Sequence, residues 1–316
     1  MDHSGHGMHT DLLPFTLGRG LQWSADPFFL VACLAGLGLY GWGVVRLRRR
    51  GDAWSAGRTV SFVVGVLTIM LVMCTRLNDY GMVMFSVHMV QHMVISMLSP
   101  ILILLGAPMT LALRALPAAG GGRKGPRELL LMLLHSRYMR IITHPAFTIP
   151  LFIASLYALY FSPLFDFLMG SKVGHIAMMV HFLAVGVVFF WPIIGVDPGP
   201  HRPGHLMRML ELFAGMPFHA FFGIALMMAS EPMVDTFRET PASLGIDALS
   251  DQSAAGGIAW AFSEIPSVLV LIALLFQWYG SEQRQAKRKD RAADRDGDKE
   301  LEAYNAYLAS LNTRGR

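Results

Sequence analysis

Two imidazoles one helical turn apart, His88 and His92, with Gln91 beside them, lie inside the apolar stretch FSVHMVQHMVISMLSPILILLGAP at residues 85–108. Spacing of i and i+4 sets both rings on one helix face, where they can hold a single ion or two adjacent ones. Other groups of the same chemistry recur along the chain: His175, Met178 and His181, then His219, then Glu264, with Met73 and Cys74 near the end of an earlier apolar run and Cys33 in the first. A separate tract at the start carries His3, His6 and His9 with Met1 and Met8, a composition read as metal-collecting. Histidine with methionine and cysteine favours copper, cuprous above all, because thioether and thiolate are soft. The scarcity of buried carboxylates argues against magnesium, calcium or manganese, while residue types alone leave zinc open. Glu264, a hard ligand, suits the role of acceptor for an imidazole N–H or of proton carrier. Met89 and Met93 repeat the histidine step with an offset of about 100° and are read as packing.

The elements that position these groups follow from composition. Of 316 residues 53% are hydrophobic and 15% charged, and mean hydropathy is +0.45, with the apolar residues in runs of about 20. An all-α polytopic membrane protein is predicted. Seven spans can be marked, at 27–45, 59–75, 82–105, 145–163, 172–194, 206–230 and 254–278. Arginine and lysine concentrate in alternate connections: Arg46 to Arg58, Arg114 to Arg140, Arg202 and Arg208, and the tail. The intervening connections are poor in them, and the last is acidic, with Glu231, Asp235, Glu239, Asp247 and Asp251. The positive-inside rule then sets the N-terminus outside and the C-terminus in the cytoplasm. The same distribution reads the net charge of +4 as orientation and excludes nucleic acid as a partner. Three regions result: an extracytoplasmic tail at 1–26 with no signal-peptide pattern, a membrane domain at 27–279 and a charged cytoplasmic tail at 280–316. A kink is predicted near Pro100, an interfacial helix over 109–116, and one amphipathic surface helix from Arg127 to Arg140.

With that topology, a rise of about 1.5 Å per residue puts His88 roughly 9 Å from the outer end of its span, His181 roughly 13 Å, His92 and Glu264 roughly 15 Å and His219 roughly 16 Å. Four spans thus bring ionisable groups to one level, with His175 closer to the surface. Burying them in hydrocarbon costs several kcal/mol each unless they face the bundle interior and find partners. A polar or metal centre in the outer half of the membrane is the expectation.

The blocks HMVQHM with the following SP and LGAP, HIAMMVHFLAVGVVFFWPIIGVD from His175, MPFHAFFGIALMM from Met216 and DQSAAGGIAWAFSEIP from Asp251 resemble the CtaG family of membrane-bound cytochrome c oxidase assembly proteins. Ser263 stands where the family pattern has glycine before the Glu-Pro step. The resemblance implies a multi-pass protein of the bacterial plasma membrane that helps mature haem–copper oxidases, by delivering copper to an oxidase subunit. Carried over by position, it points to His88, His92, His175, His181 and His219 as metal residues, with Gln91, Asp251, Trp260 and Glu264 accompanying them.

The leading expectation is a non-enzymatic metallochaperone that captures cuprous copper on the outer side and passes it laterally to an oxidase copper centre. Release requires a site of low coordination number. Two alternatives stay open: a b-type haem carrier with axial histidines, and a copper transporter, for which the inner half offers only Glu211 and Arg208. A retinal receptor is set aside because the seventh span has no lysine. A homo-oligomer is compatible with the sequence.

Overall fold

The computed structural model describes residues 12–119, 124–200, 203–296 and 299–314, so the tract of His3, His6 and His9 lies outside the described residues. Among those described, the chain is helical throughout, and its one β feature is an isolated bridge between Trp23 and Thr75. Two compact units divide at Val270 and Leu271, and the histidines lie in the first.

Helix α1 (Pro27–Arg49) starts on Asp26, whose carboxylate accepts from the N–H groups of Phe28 and Phe29, with Pro27 at the first position; it ends on Arg46, Arg48 and Arg49. Both ends therefore complement the helix dipole. Helix α2 (Ala56–Met73) follows, then α3 (Phe85–Met93), a π turn (Val94–Leu98), α4 (Ser99–Leu105) and α5 (Pro108–Ala115). The expected kink is this π turn. Pro100 cannot donate to the Ser96 carbonyl and its ring crowds that oxygen, so the helix widens just before it.

Helices α6 (Pro126–Leu134) and α7 (Arg137–Ile142) replace the single amphipathic helix expected over 127–140, because Ser136 breaks it and caps the second piece through Met139 N. The remaining elements are α8 (Pro145–Tyr160), α9 (Leu164–Met169), α10 (Lys172–Ile194), α11 (His205–Met228) and α12 (Ala248–Asp296). In the second unit, α13 (Lys299–Arg314) follows.

Among the described residues six helices are long and apolar enough to cross a bilayer: 27–49, 56–73, 85–115, 172–194, 205–228 and 248–292. The chain is thus a multi-pass membrane protein by length and composition. The expected fourth span is the 16-residue apolar helix α8, shorter than these.

Two glycine contacts show how closely spanning helices pack. A Cβ on Gly186 would fall 2.1 Å from the Ser96 carbonyl, so α10 lies directly against the π turn. A Cβ on Gly223 or Gly256 would meet the other's carbonyl at 2.5 Å, so α11 and the start of α12 touch backbone to backbone. Small residues let membrane helices approach this closely.

Buried carboxylates fasten helix ends across the chain. Asp251 on α12 accepts from Phe85 N at 2.6 Å, from Ser86 N and from the Ser86 hydroxyl, capping α3. Asp197 accepts from Met109 N, Thr110 N and the Thr110 hydroxyl, capping α5 after the left-handed Ala107. Burial pushes the Asp197 carboxyl above the ordinary range, while the bonds from Thr110 and Met109 oppose that shift.

Candidate metal centre

Because Asp251 fixes the start of α3, His88 and His92 follow at one and two turns into a helix whose first turn is held by a buried carboxylate. Both rings are buried, at 0% and 2% exposure. Two other helices bring histidines to them. His175, near the start of α10, has its ring centre 6.0 Å from that of His88. His219, beyond Pro217 in α11, lies 6.5 Å from His92. Two facing pairs result, one turn apart in depth.

Their surroundings are aromatic. Tyr160 stands edge-on to both pairs, 6.3 Å from His88 and 5.8 Å from His92. Phe182 meets His92 edge-to-face at 4.0 Å. Phe165 and Phe237 flank His88 at 5.1 and 5.8 Å, and Phe237 stacks on Phe85 at 4.9 Å. Phe237 belongs to the connection between α11 and α12, and Asp166 of α9 holds that connection by accepting from the N–H and hydroxyl of Thr236. Beneath the lower pair is a cavity of ≈ 10 Å³ lined by His92, Ser96, Phe152, Ser155, Phe182 and His219 among others. That volume admits one water or one ion.

Neither nitrogen of His88 nor either nitrogen of His92 has a hydrogen-bond partner, and the same holds for His175 Nε2, the Ser96 hydroxyl and the Tyr160 hydroxyl. A buried polar atom left unpaired costs about 1–3 kcal/mol. Two of these residues, His92 and Ser96, line the small cavity, and unpaired groups concentrated in one layer call for an explanation other than holding the fold together. With a metal–nitrogen distance of about 2.0 Å and roughly 1.1 Å from nitrogen to ring centre, two imidazoles across one ion have centres about 6.2 Å apart. The two observed separations, 6.0 and 6.5 Å, bracket that value. Among the described residues no three histidine, cysteine or carboxylate side chains converge as a ready metal cage. The arrangement is one of pairs.

The other expected site residues are distributed differently. His181 is exposed and its Nε2 shares a hydrogen bond of 2.9 Å with Ser155, which lines the small cavity. Six steps of about 100° carry it some 120° around α10 from His175, so equal depth did not bring it to the same face. Gln91 donates to Val72 O at 3.0 Å and to Asn78 Oδ1 at 3.3 Å, tying α3 to the end of α2; Oε1 stays unpaired. Asp251 is the cap already described. Trp260 is 46% exposed and Glu264 half-buried, with no hydrogen bond to an imidazole. The buried face of α12 runs through Asp251, Ala255, Ala259 and Ser263, and neither Trp260 nor Glu264 lies on that series. Met73, Cys74 and Met178 are all buried, and Met73 sulfur receives Gln91 Nε2 at 3.8 Å.

Residues that sequence reasoning missed are Tyr160, Phe165, Phe182, Phe237, Ser96 and Ser155. Tyr160 and Ser96, polar groups inside apolar runs, carried a signal. The phenylalanines carried none, since apolar residues in apolar spans look alike.

Compared with known proteins, residues 38–281 match a family model described as cytochrome c oxidase caa3 assembly factor. Uncharacterized proteins of Mycobacterium bovis and Mycobacterium tuberculosis are each 45% identical over 307 residues, covering 96% of this chain and 46% of their own length. One from Mycobacterium leprae is 46% identical over 290 residues, 90% of this chain and 44% of its own. The chain thus spans about half the length of the curated relatives it matches. No solved structure matches it significantly.

Proposed function

Since the chain belongs to the cytochrome c oxidase caa3 assembly factor family, we propose that its share of assembly is to hold cuprous copper between facing imidazoles and hand it to an oxidase subunit. One observation carries the reading: four buried imidazoles form two pairs at the separation a linear two-nitrogen ion requires, and both nitrogens of His88 and of His92 are unpartnered. Cuprous copper, with its filled d shell, accepts two ligands in line. Neutral imidazoles then keep the charge in the membrane to that of the ion itself. A two-ligand site also favours release, because an incoming ligand can bind before either imidazole leaves. The role requires no catalysis.

Ten cubic ångströms beside His92, with Phe182 against its ring, leave no space for a macrocycle, which favours an ion over haem. Phe152, 5.0 Å from the His219 ring, stacks on Phe189 at 4.2 Å and 9°, an aromatic plug beside the lower pair. That plug favours lateral delivery over transport across the membrane. The reading counts α8 as a seventh crossing. An odd number of crossings puts the two ends on opposite sides, and the arginine distribution turns the histidine layer outward.

The test is copper content of anaerobically purified protein with X-ray absorption at the copper edge. Wild type is expected to show two nitrogen neighbours and His88→Leu/His92→Leu at least fivefold less copper, with impaired oxidase assembly. Unchanged copper and normal assembly in the double variant would remove the proposal.

A further inference from the structure

Away from the histidines, the opposite end of the first unit carries a cleft of about 740 Å³. It lies between the end of α1, the end of α5 and the start of α6, and its charged lining is Arg50, Arg114, Arg127 and Asp52. Three guanidiniums against one carboxylate leave a net charge of +2. The acid is a weak partner: Asp52 meets Arg114 at 3.7 Å, with both side chains more than 40% exposed. Asp197, between the lining residues Val196 and Pro198, is buried and its oxygens already accept from Met109 and Thr110.

The donors are only partly used. Arg50 Nη1 donates to Arg114 O at 3.3 Å and Arg114 Nη1 to Ala53 O at 3.4 Å, bonds that fix the two side chains. Arg127 Nε is buried without a hydrogen-bond partner. Arginine presents five N–H donors in a planar fork that matches phosphate oxygens two at a time.

A second cleft of about 380 Å³ adjoins the first through the shared Arg50 and is walled by Trp42, Val45, Arg46 and Arg49. Trp42 and Val45 are about half exposed on α1, a helix long and apolar enough to cross a bilayer, and Arg46 lies 5.1 Å over the Trp42 ring. A tryptophan under an arginine at a helix end is the pattern of the membrane interface. An arginine cleft that shares Arg50 with an apolar wall on a spanning helix suits a headgroup and the start of its acyl chain.

We infer that this pair of clefts binds an anionic phospholipid, with Arg50, Arg114 and Arg127 on headgroup phosphate and Trp42 and Val45 along an acyl chain. The net charge of +2 in the first cleft, with Arg46 and Arg49 walling the second, best fits a headgroup with two phosphodiesters. Basic pockets between spanning helices on the positive side are suited to such lipids. The inference is independent of copper.

It is tested by native mass spectrometry of the full chain in detergent, titrated separately with cardiolipin, phosphatidylglycerol, phosphatidylcholine and inorganic phosphate. Wild type is expected to bind cardiolipin at least tenfold more tightly than phosphatidylcholine, with phosphatidylglycerol between them. Arg50→Gln/Arg114→Gln/Arg127→Gln is expected to lower the preference to less than twofold, and Arg48→Gln/Arg137→Gln, outside the cleft lining, to leave it. Should the triple variant not fold, Arg127→Gln alone is expected to weaken cardiolipin about threefold with thermal stability preserved. Preference unchanged in the triple variant, or in Arg127→Gln where the triple does not fold, would overturn the assignment. So would inorganic phosphate binding as tightly as the lipid, which would make the cleft a free-anion site.

Discussion

The helix ends and the histidine layer handle buried polarity in opposite ways. Asp26, Asp197 and Asp251 are at most 6% exposed, and each accepts at least two hydrogen bonds from a helix N-terminus. His88 and His92 are as deeply buried and accept or donate none. A carboxylate at a cap contributes to the fold, whereas an unpaired imidazole costs it free energy. Glu211 stands between the two cases, with one oxygen on Thr148 at 2.8 Å and the other unpartnered. The contrast separates residues whose hydrogen bonds hold helices together from residues whose burial no hydrogen bond offsets.

Substitutions can break that contrast, beginning at the caps. Asp251→Leu removes the bonds to Phe85 and Ser86 and should cost about 2–4 kcal/mol by thermal unfolding in detergent, with Asp251→Asn recovering part. A change below about 0.5 kcal/mol would mean the cap is dispensable.

His92→Leu should go the other way. Exchanging an unpaired polar ring for an apolar side chain is expected to leave stability unchanged or raise it by up to about 2 kcal/mol, while copper content falls. Marked destabilisation would show that the imidazole holds the fold after all.

Asp166→Ala frees the connection bearing Phe237 and should cost about 1–2 kcal/mol, read as faster amide exchange over residues 234–238 and faster loss of bound copper to an external chelator. Unaltered exchange in both readouts would show that the loop is held by something else. His181→Gln, at an exposed position, should shift stability by less than about 0.5 kcal/mol and leave copper stoichiometry as in wild type. A lost equivalent of copper would make His181 a ligand.

Depth was legible in the sequence and angle was not. Counting residues from the span ends put His92 and His219 at one level, and their ring centres lie 6.5 Å apart, whereas His88 faces His175, which the count set nearer the surface. The same count admitted His181 and Glu264, because rise along a helix says nothing about which way a side chain faces. The phase of α10 is set by Gly186 against the Ser96 carbonyl, and the phase of α12 by Gly256 against Gly223. Those contacts join residues 90 and 33 positions apart, beyond the reach of any local pattern. Pro100 announced a distortion, and its form as a π turn depended on the same packing. Asp251 looked like a companion of the metal residues, and its role as the cap of another helix was visible only with both helices in place.

Phe237 has a consequence for timing. It covers His88 from a connection that Asp166 secures with two hydrogen bonds, worth together about 1–3 kcal/mol. A latch held this way is open in only a minor fraction of molecules. Cargo beneath it would be shielded from stray thiols on most encounters, yet would stay accessible to a docked recipient that keeps the latch from falling shut.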